Sequence, residues 1–264
     1  MDSTRICGQL SRAFWLMLLI ICAAGFARTS AGAQQSSGNI PDITGSWERA
    51  RDASIPPQPQ PPLKAQYLKQ WQTQVQAARE ANAKGQPIAD RVVQCLPEGM
   101  PGMMGGPFPM EVLQSKGQVT IIQEAYTQVR RIVLDRPQKA IDDVEPGFYG
   151  HSVGYWDGGT LIADTVGVRE DVRYQNVPHS KDMHIKERIS LGANGLLRDE
   201  ITIEDPAVLE KPWTFTYGYR RMPDYQLLEY VCEDNREYAD EKGVQQIRIP
   251  SPNRKILRCR IRPI

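Results

Sequence analysis

The three histidines of this chain, His151, His179 and His184, all fall between Phe148 and Ser190. Imidazole is the side chain whose unperturbed proton exchange lies nearest neutral pH, so this window is where acid/base chemistry is expected. It reads GHSVG at 150–154, YWDGGTLIADT at 155–165 and PHSKDMHIKER at 178–188. Hydroxyls (Ser152, Ser180), carboxylates (Asp164, Asp182, Glu187) and cations (Lys181, Lys186, Arg188) share it. A carboxylate beside a histidine orients the ring and fixes which nitrogen bears the proton; Asp182, Asp164 and Glu187 are candidates for that role.

Three other readings compete. GHSVG matches the G-x-S-x-G nucleophile elbow, and Asp164 and His179 or His184 follow in the Ser, Asp, His order of α/β-hydrolases. That elbow needs a strand before the serine and a helix after it, whereas Pro146-Gly147 precedes and Tyr155–Gly159 reads as a hairpin turn. Three imidazoles also raise a metal site, but their spacing matches no ligand fingerprint, and no metal or cofactor is expected. In MHIKERI, strict alternation sets His184, Lys186 and Arg188 on one side, with Ile185, Glu187 and Ile189 on the other. If the isoleucines face the core, Glu187 goes in with them. If His184 faces in, two cations accompany it, an expensive set unless it lines a ligand cavity. Either way an ionisable group is buried, and ion pairing between strands accounts for that as well as catalysis does.

The elements that must position these residues begin after a leader. Arg5 and Arg12 precede the apolar run Phe14–Gly25, and Ala31-Gly32-Ala33 offers a small-residue cleavage site, so residues 1–33 read as an export signal and the mature chain as 34–264. A lipoprotein reading through Cys22 is weaker because Ile21 precedes it, and the apolar run is shorter than the roughly 20 residues of a spanning helix. Export places the protein in the periplasm or outside the cell, with no stable membrane span once the signal is cut. Removing Arg5, Arg12, Arg28 and Asp2 from 32 basic and 31 acidic residues leaves 29 and 30. That near-neutral balance argues against nucleic acid or an anionic membrane surface as partner. Cys95, Cys232 and Cys259 remain without a CxxC or CxxH spacing. One disulfide is expected in an oxidising compartment, with Cys95 to Cys232 the first choice because each sits at the edge of a strand-like run; the third thiol reads as a small buried apolar group.

Residues 34–63 read as an extended, proline-rich lead, IPPQPQPPL at 55–63 setting a polyproline segment, with a short strand in DITGSWERA at 42–50. Tyr67, Trp71 and Val75, four apart, predict one apolar helical stripe over 64–84, ended by Gly85 and Pro87. LPEGMPGMMGGPFPM at 96–110 has neither period; it reads as a loop that lids a cavity or plugs a barrel end. Strand-like runs then dominate: 119–123, 129–134, 161–165, 183–191, 196–204, 213–221, 225–232 and 244–249. Trp213, Phe215, Tyr217 and Tyr219 alternate with Thr214, Thr216, Gly218 and Arg220, so one face of that strand must be buried. Eight to ten short strands with a single early helix predict a mainly β domain over 64–264, an antiparallel barrel or sandwich.

The Gly45-x-Trp47 pair resembles the first strand of lipocalin-like barrels. More broadly, ITGSW (43–47), CLPEGMPGMM (95–104), VRRIVLD (129–135), GHSVGYWDGGTLIADTVG (150–167), PHSKDMHIKERI (178–189), TIEDP (202–206), KPWTFTYGYRR (211–221) and EYVCEDNRE (229–237) together resemble an uncharacterised family of exported bacterial proteins of sphingomonads and acidobacteria. The resemblance implies a lipocalin-like, or calycin-like, antiparallel β-barrel, and carries no activity with it. The chain departs from the family's W-E-G-D-T-L pattern at Gly159, where the second acid is missing.

These readings converge on an exported barrel that encloses a small apolar or aromatic molecule. The leading expectation is cofactor-independent proton transfer of the lyase, dehydratase or isomerase type. His179 or His184 would serve as acid/base, with Asp164 and Glu187 beside them. His151 would contact the ligand, Trp213, Tyr217 and Tyr219 would form a wall, and Arg188 would hold an oxyanion or phenolate. A non-catalytic binding protein and a serine hydrolase through Ser152 are the alternatives.

Overall fold

The computed structural model describes residues 40–89, 94–232 and 237–247. The export signal, Cys259 and the end of the run at 244–249 lie outside the described residues. Nine strands close into a barrel in sequence order: β1 (Gly45–Arg49), β2 (Met110–Ser115), β3 (Gln118–Gln123), β4 (Gln128–Leu134), β5 (His151–Asp157), β6 (Thr160–Val166), β7 (His184–Leu191), β8 (Leu197–Glu204) and β9 (Trp213–Arg221). A separate hairpin joins β10 (Glu237–Ala239) to β11 (Gln245–Ile247).

The mainly β, lipocalin-like barrel expected from the sequence is what the chain forms, with one refinement. An uninterrupted antiparallel ring needs an even number of strands, so a ring of nine must contain a parallel junction. It lies between β4 and β5, where Ile132 faces Ser152 and Leu134 faces Gly154. The other pairings, including β1 with β9, are antiparallel.

Two expectations are corrected. Residues 225–232 form no strand; they run as irregular chain ending at Cys232. Tyr155 to Asp157 continue β5 instead of turning, and the reversal comes at Gly158-Gly159. Strands β2 and β5, absent from the sequence reading, complete the ring.

Alternation decides what fills the barrel. On β9, Trp213, Phe215, Tyr217 and Tyr219 are all buried, as the period of two requires. Across from them β8 turns in Leu197, Asp199, Ile201 and Ile203, and β7 turns in Ile185, Glu187 and Ile189. On β1, Trp47 is fully enclosed and donates from Nε1 to the Ile43 carbonyl at 3.0 Å, while the Arg221 guanidinium lies 4.3 Å from its ring centre. The residues read as an extended lead thus supply the first barrel strand.

One end of the barrel is plugged. The short helix α2 (Gly102–Gly105) buries Met103 and Met104. Tyr219 donates to the Met104 carbonyl at 2.7 Å and the Gln123 amide to the Met103 carbonyl at 2.6 Å, so strand side chains satisfy the carbonyls a short helix leaves open. A Cβ on Gly105 would sit 2.6 Å from the Tyr217 hydroxyl, which is why the loop needs glycine there. The long helix α1 (Ala65–Ala83) buries Trp71 and packs Tyr67, Leu68 and Val75 on the core, the expected stripe. The proline segment wraps the same end: the Trp213 indole donates to the Pro59 carbonyl at 3.0 Å, and Glu210 N to that of Pro62 at 2.8 Å. Cys95 and Cys232 form a disulfide, joining the plug loop to the chain after β9. Among the described residues no helix is long and apolar enough to cross a membrane.

Candidate ligand cleft at the barrel mouth

The structure does not gather the three imidazoles. His151 and His184 lie on the outer wall, on β5 and β7, either side of Asp164 on β6. His184 Nδ1 is 3.1 Å from Asp164 Oδ1, and both side chains are partly exposed. Gln138, from the crossover between β4 and β5, arches over this row: its carbonyl oxygen meets His151 Nδ1 at 2.9 Å and its amide donates to the Asp164 carbonyl at 2.9 Å. Burial, and secondly the charge of Lys139, lowers the pKa of His151. His179 sits in the loop before β7 with Nδ1 2.9 Å from the Ser180 carbonyl and Nε2 3.0 Å from that of Arg169. A ring engaged by backbone at both nitrogens holds a loop together and has neither nitrogen spare for a reacting group. It borders a cavity of about 20 Å³ with Trp213 and Met183, room for about one water.

Of the two orientations open to β7, the barrel takes the one with isoleucines inside. Lys186 and Arg188 are exposed, and Lys186 pairs with Glu204 at 2.7 Å. Arg188, expected to hold an oxyanion, therefore points away from the interior. Glu187 is enclosed, and its partner is Arg130 on β4, a residue the sequence reading passed over. Arg130 Nη1 donates to Glu187 Oε1 at 2.7 Å, Nη2 reaches Oε2, Nη2 also donates to Thr165 Oγ1 at 3.0 Å, and Nε to Ser152 Oγ at 3.2 Å. Buried charges persist only when paired and hydrogen-bonded, and this guanidinium is ringed by acceptors.

Ser152 belongs to that interior set. It is 4% exposed, hydrogen-bonded to Thr165 Oγ1 at 2.7 Å, and lies on a strand that no helix follows. A Cβ on Gly150, at φ +62°, would sit 2.4 Å from the Val166 carbonyl and one on Gly154 2.5 Å from that of Ile162, so the glycines of GHSVG let neighbouring strands approach closely rather than forming a nucleophile turn.

Beside Glu187 lies Asp199, fully buried on β8, with neither carboxylate oxygen accepting a hydrogen bond from a described residue. Burial, then the negative charge of Glu187, raises its pKa well above the ordinary carboxylate range, against the pull of Arg130 and Arg49. Burial and the neighbouring Glu187 charge thus both push Asp199 toward its neutral form, in which it could donate to Glu187, whereas an ionised Asp199 would have no donor. A signal for both residues was present in the sequence. Asp199 occupies the inward phase of L-R-D-E-I-T-I, and an acid drawn inside on 187 calls for a cation such as Arg130.

The open space of the structure lies over the plugged end of the barrel. A cleft of about 1050 Å³ runs between α1, the loop at 96–107, the segment 171–176 and the barrel mouth. Arg49, Gln58, Tyr174 and Tyr217 line its inner part. The Arg49 guanidinium stacks 3.8 Å from the Tyr217 ring centre and donates from Nη1 to the Gly105 carbonyl at 3.2 Å. The Tyr174 and Tyr217 hydroxyls are in contact, and Tyr174 donates to Gln58 Oε1 at 3.0 Å. Burial raises the phenol of Tyr217 above its ordinary range, with Tyr174 adding to the rise and Arg49 opposing it. Burial likewise raises Tyr174, against hydrogen bonds that lower it. Behind them Phe215 and Trp213 continue the ring stack, Tyr174 lying 5.5 Å from Phe215 and 5.7 Å from Trp213. Arg49 Nε and Gln58 Nε2 are buried donors that find no acceptor among the described residues.

Of the expected wall, then, Tyr217 lines the cleft, while Trp213 and Tyr219 are packed behind it. Arg49, Gln58 and Tyr174 are cleft residues the sequence reading missed. Arg49 carries a faint signal, sharing the phase of Trp47 on β1. No group of three or more His, Cys, Asp or Glu side chains among the described residues is placed to hold a metal ion. Comparison with protein-family models and with curated proteins returns no match for this chain.

Proposed function

We propose that this protein is an exported barrel that binds a small apolar or aromatic molecule carrying an acceptor oxygen, in the cleft at the barrel mouth. One observation carries the reading: Arg49 and Gln58, both bordering the cleft, each hold a buried N–H without an acceptor. Donors withdrawn from water and left unmatched cost about 1–3 kcal/mol each, so a ligand oxygen that meets them gains that amount over one that does not. The tyrosine floor supplies flat apolar surface with two hydroxyls, the mixture of rings and a few polar groups that small-molecule sites use. The disulfide fits an oxidising compartment outside the cytoplasm.

Turnover by cofactor-independent acid/base chemistry is a second reading, favoured by the contacting hydroxyls of Tyr174 and Tyr217. Both phenols keep their protons at neutral pH; Tyr174 gives its own to Gln58 and accepts that of Tyr217, so a ligand oxygen that takes the place of the Tyr174 hydroxyl would meet Tyr217 as a general acid. The imidazoles take no part, since none borders the cleft.

Native mass spectrometry of protein taken from its source cells, followed by incubation of any released molecule with wild type and Tyr217→Phe, tests both. Retention of an aromatic molecule, lost in Arg49→Gln, is expected. Equal retention in Arg49→Gln ends the binding reading, and product formed equally by Tyr217→Phe ends the catalytic one.

A further inference from the structure

Arg49 is a cation in a half-buried place, and its guanidinium forms no ion pair with any described carboxylate. Two strands away, Asp199 is a buried carboxyl without a donor. They flank the same pair of rings: Asp199 stands opposite Tyr217 in the β8–β9 register, and Arg49 stands opposite Tyr219 in the β1–β9 register. A cation without a carboxylate partner and a carboxyl without a donor, on either side of one aromatic strand, need a common explanation.

Resting on the cleft reading above, we infer that the ligand's oxygen is anionic, a carboxylate or phenolate on an aromatic body. Arg49 is the group that receives it, and Asp199, buried opposite Tyr217 without a donor, is a positioning residue that leaves Arg49 without a carboxylate partner.

The groups that face Asp199 are Glu187 on β7, Arg130 on β4, Arg49 on β1, and Tyr217 and Tyr219 on β9. Glu187 takes one fork of Arg130 through both Nη groups, and Ser152 and Thr165 take the other through Nε and Nη2, so Arg130 has no free bidentate face to offer Asp199. Burial and the Glu187 charge both favour the neutral acid. While Asp199 is neutral, Arg49 is the uncompensated charge at the cleft floor and attracts an anion. Once Asp199 ionises, its negative charge lies beside Arg49 and offsets the attraction. Anion affinity therefore falls as pH rises through the ionisation of Asp199. The phenols of Tyr174, Tyr217 and Tyr219 do not compete for that change, since burial holds all three above their ordinary range.

Benzoate and its uncharged analogue benzamide are the probes, with binding measured calorimetrically on the disulfide-bonded protein from about pH 5 upward through the pH at which the protonated-carboxyl infrared band is lost. The expected result has three parts. Benzoate binds roughly tenfold tighter than benzamide at the acid end, an advantage that shrinks as pH rises and is absent in Arg49→Gln. Asp199→Asn keeps the advantage across the whole range. Infrared spectra of the wild type at neutral pH contain a protonated-carboxyl band that alkali removes, a readout independent of how the variant folds. Benzoate binding no tighter than benzamide overturns the inference while leaving the cleft reading in place. A benzoate advantage unchanged across the pH at which the protonated-carboxyl band is lost in the wild type, or no such band, removes Asp199 from it. Failure of both probes to bind at any pH overturns the inference and the cleft reading together.

Discussion

Arg130 on β4 and Glu187 on β7 meet inside the barrel although β5 and β6 separate their strands along the wall, with Nη1 and Oε1 2.7 Å apart. The pair ties the strands on either side of the β4–β5 junction to each other through the interior.

Removing one partner strands the other charge in a dry interior. Arg130→Met is expected to lose about 3–5 kcal/mol of stability in urea unfolding, and the double change Arg130→Met/Glu187→Leu to recover most of it. Equal stability of Arg130→Met and wild type would show that the pair contributes nothing.

Ser152 is expected to stay unlabelled by a fluorophosphonate, because its hydroxyl is enclosed between Arg130 and Thr165. Ser152→Ala should instead cost about 1–3 kcal/mol, as both neighbours lose a partner. Labelling at Ser152, detected by peptide mass spectrometry, would contradict its interior placement.

The His151 ring is expected to titrate below its ordinary value of 6.5, followed by its NMR shifts. Burial is the larger cause, so Lys139→Ala should move the midpoint only part of the way back. Because the folded ring binds protons less readily than the unfolded one, its contribution to stability increases as pH rises towards 6.5 and is unfavourable below. The ring is only partly buried, so the stability effect is small; a midpoint at or above the ordinary value would refute the placement.

Reducing the Cys95–Cys232 bond frees a link spanning 137 positions and should lower stability by about 2–4 kcal/mol, seen as a fall in Tm under reductant. Leu96 and Glu98, next to Cys95, border the cleft, so probe binding should weaken in the same samples. A Tm indifferent to reductant would mean that the loop is held by its other contacts.

Much of the barrel was legible because alternation is a local property. The aromatic phase of β9, the entry of Glu187 with Ile185 and Ile189, the Tyr67–Trp71–Val75 stripe and the first-choice disulfide all follow from neighbours along the chain. Positions set by contacts between distant strands were not legible. Arg130 and Arg131 are adjacent, and nothing local says which turns inward; Glu187, far along the chain, decides it. The histidines cluster in sequence, yet two stand on outward phases and the third in a loop, so proximity along the chain did not become convergence in space. The parallel junction leaves no hairpin signature, though the strand count demands it once β2 and β5 are recognised.

The odd number of staves also bears on how the chain assembles. Strands β2 to β4 zip with their sequence neighbours, as do β5 to β9, but β1 must join Met110 on one flank and Arg221 on the other. Closing those distant pairings costs the most loop entropy, so an open sheet of β2 to β9 precedes the ring. It exposes bare backbone edges on β2 and β9 that another copy could extend, which makes the interval before β1 docks the point at which this protein is most exposed to self-association.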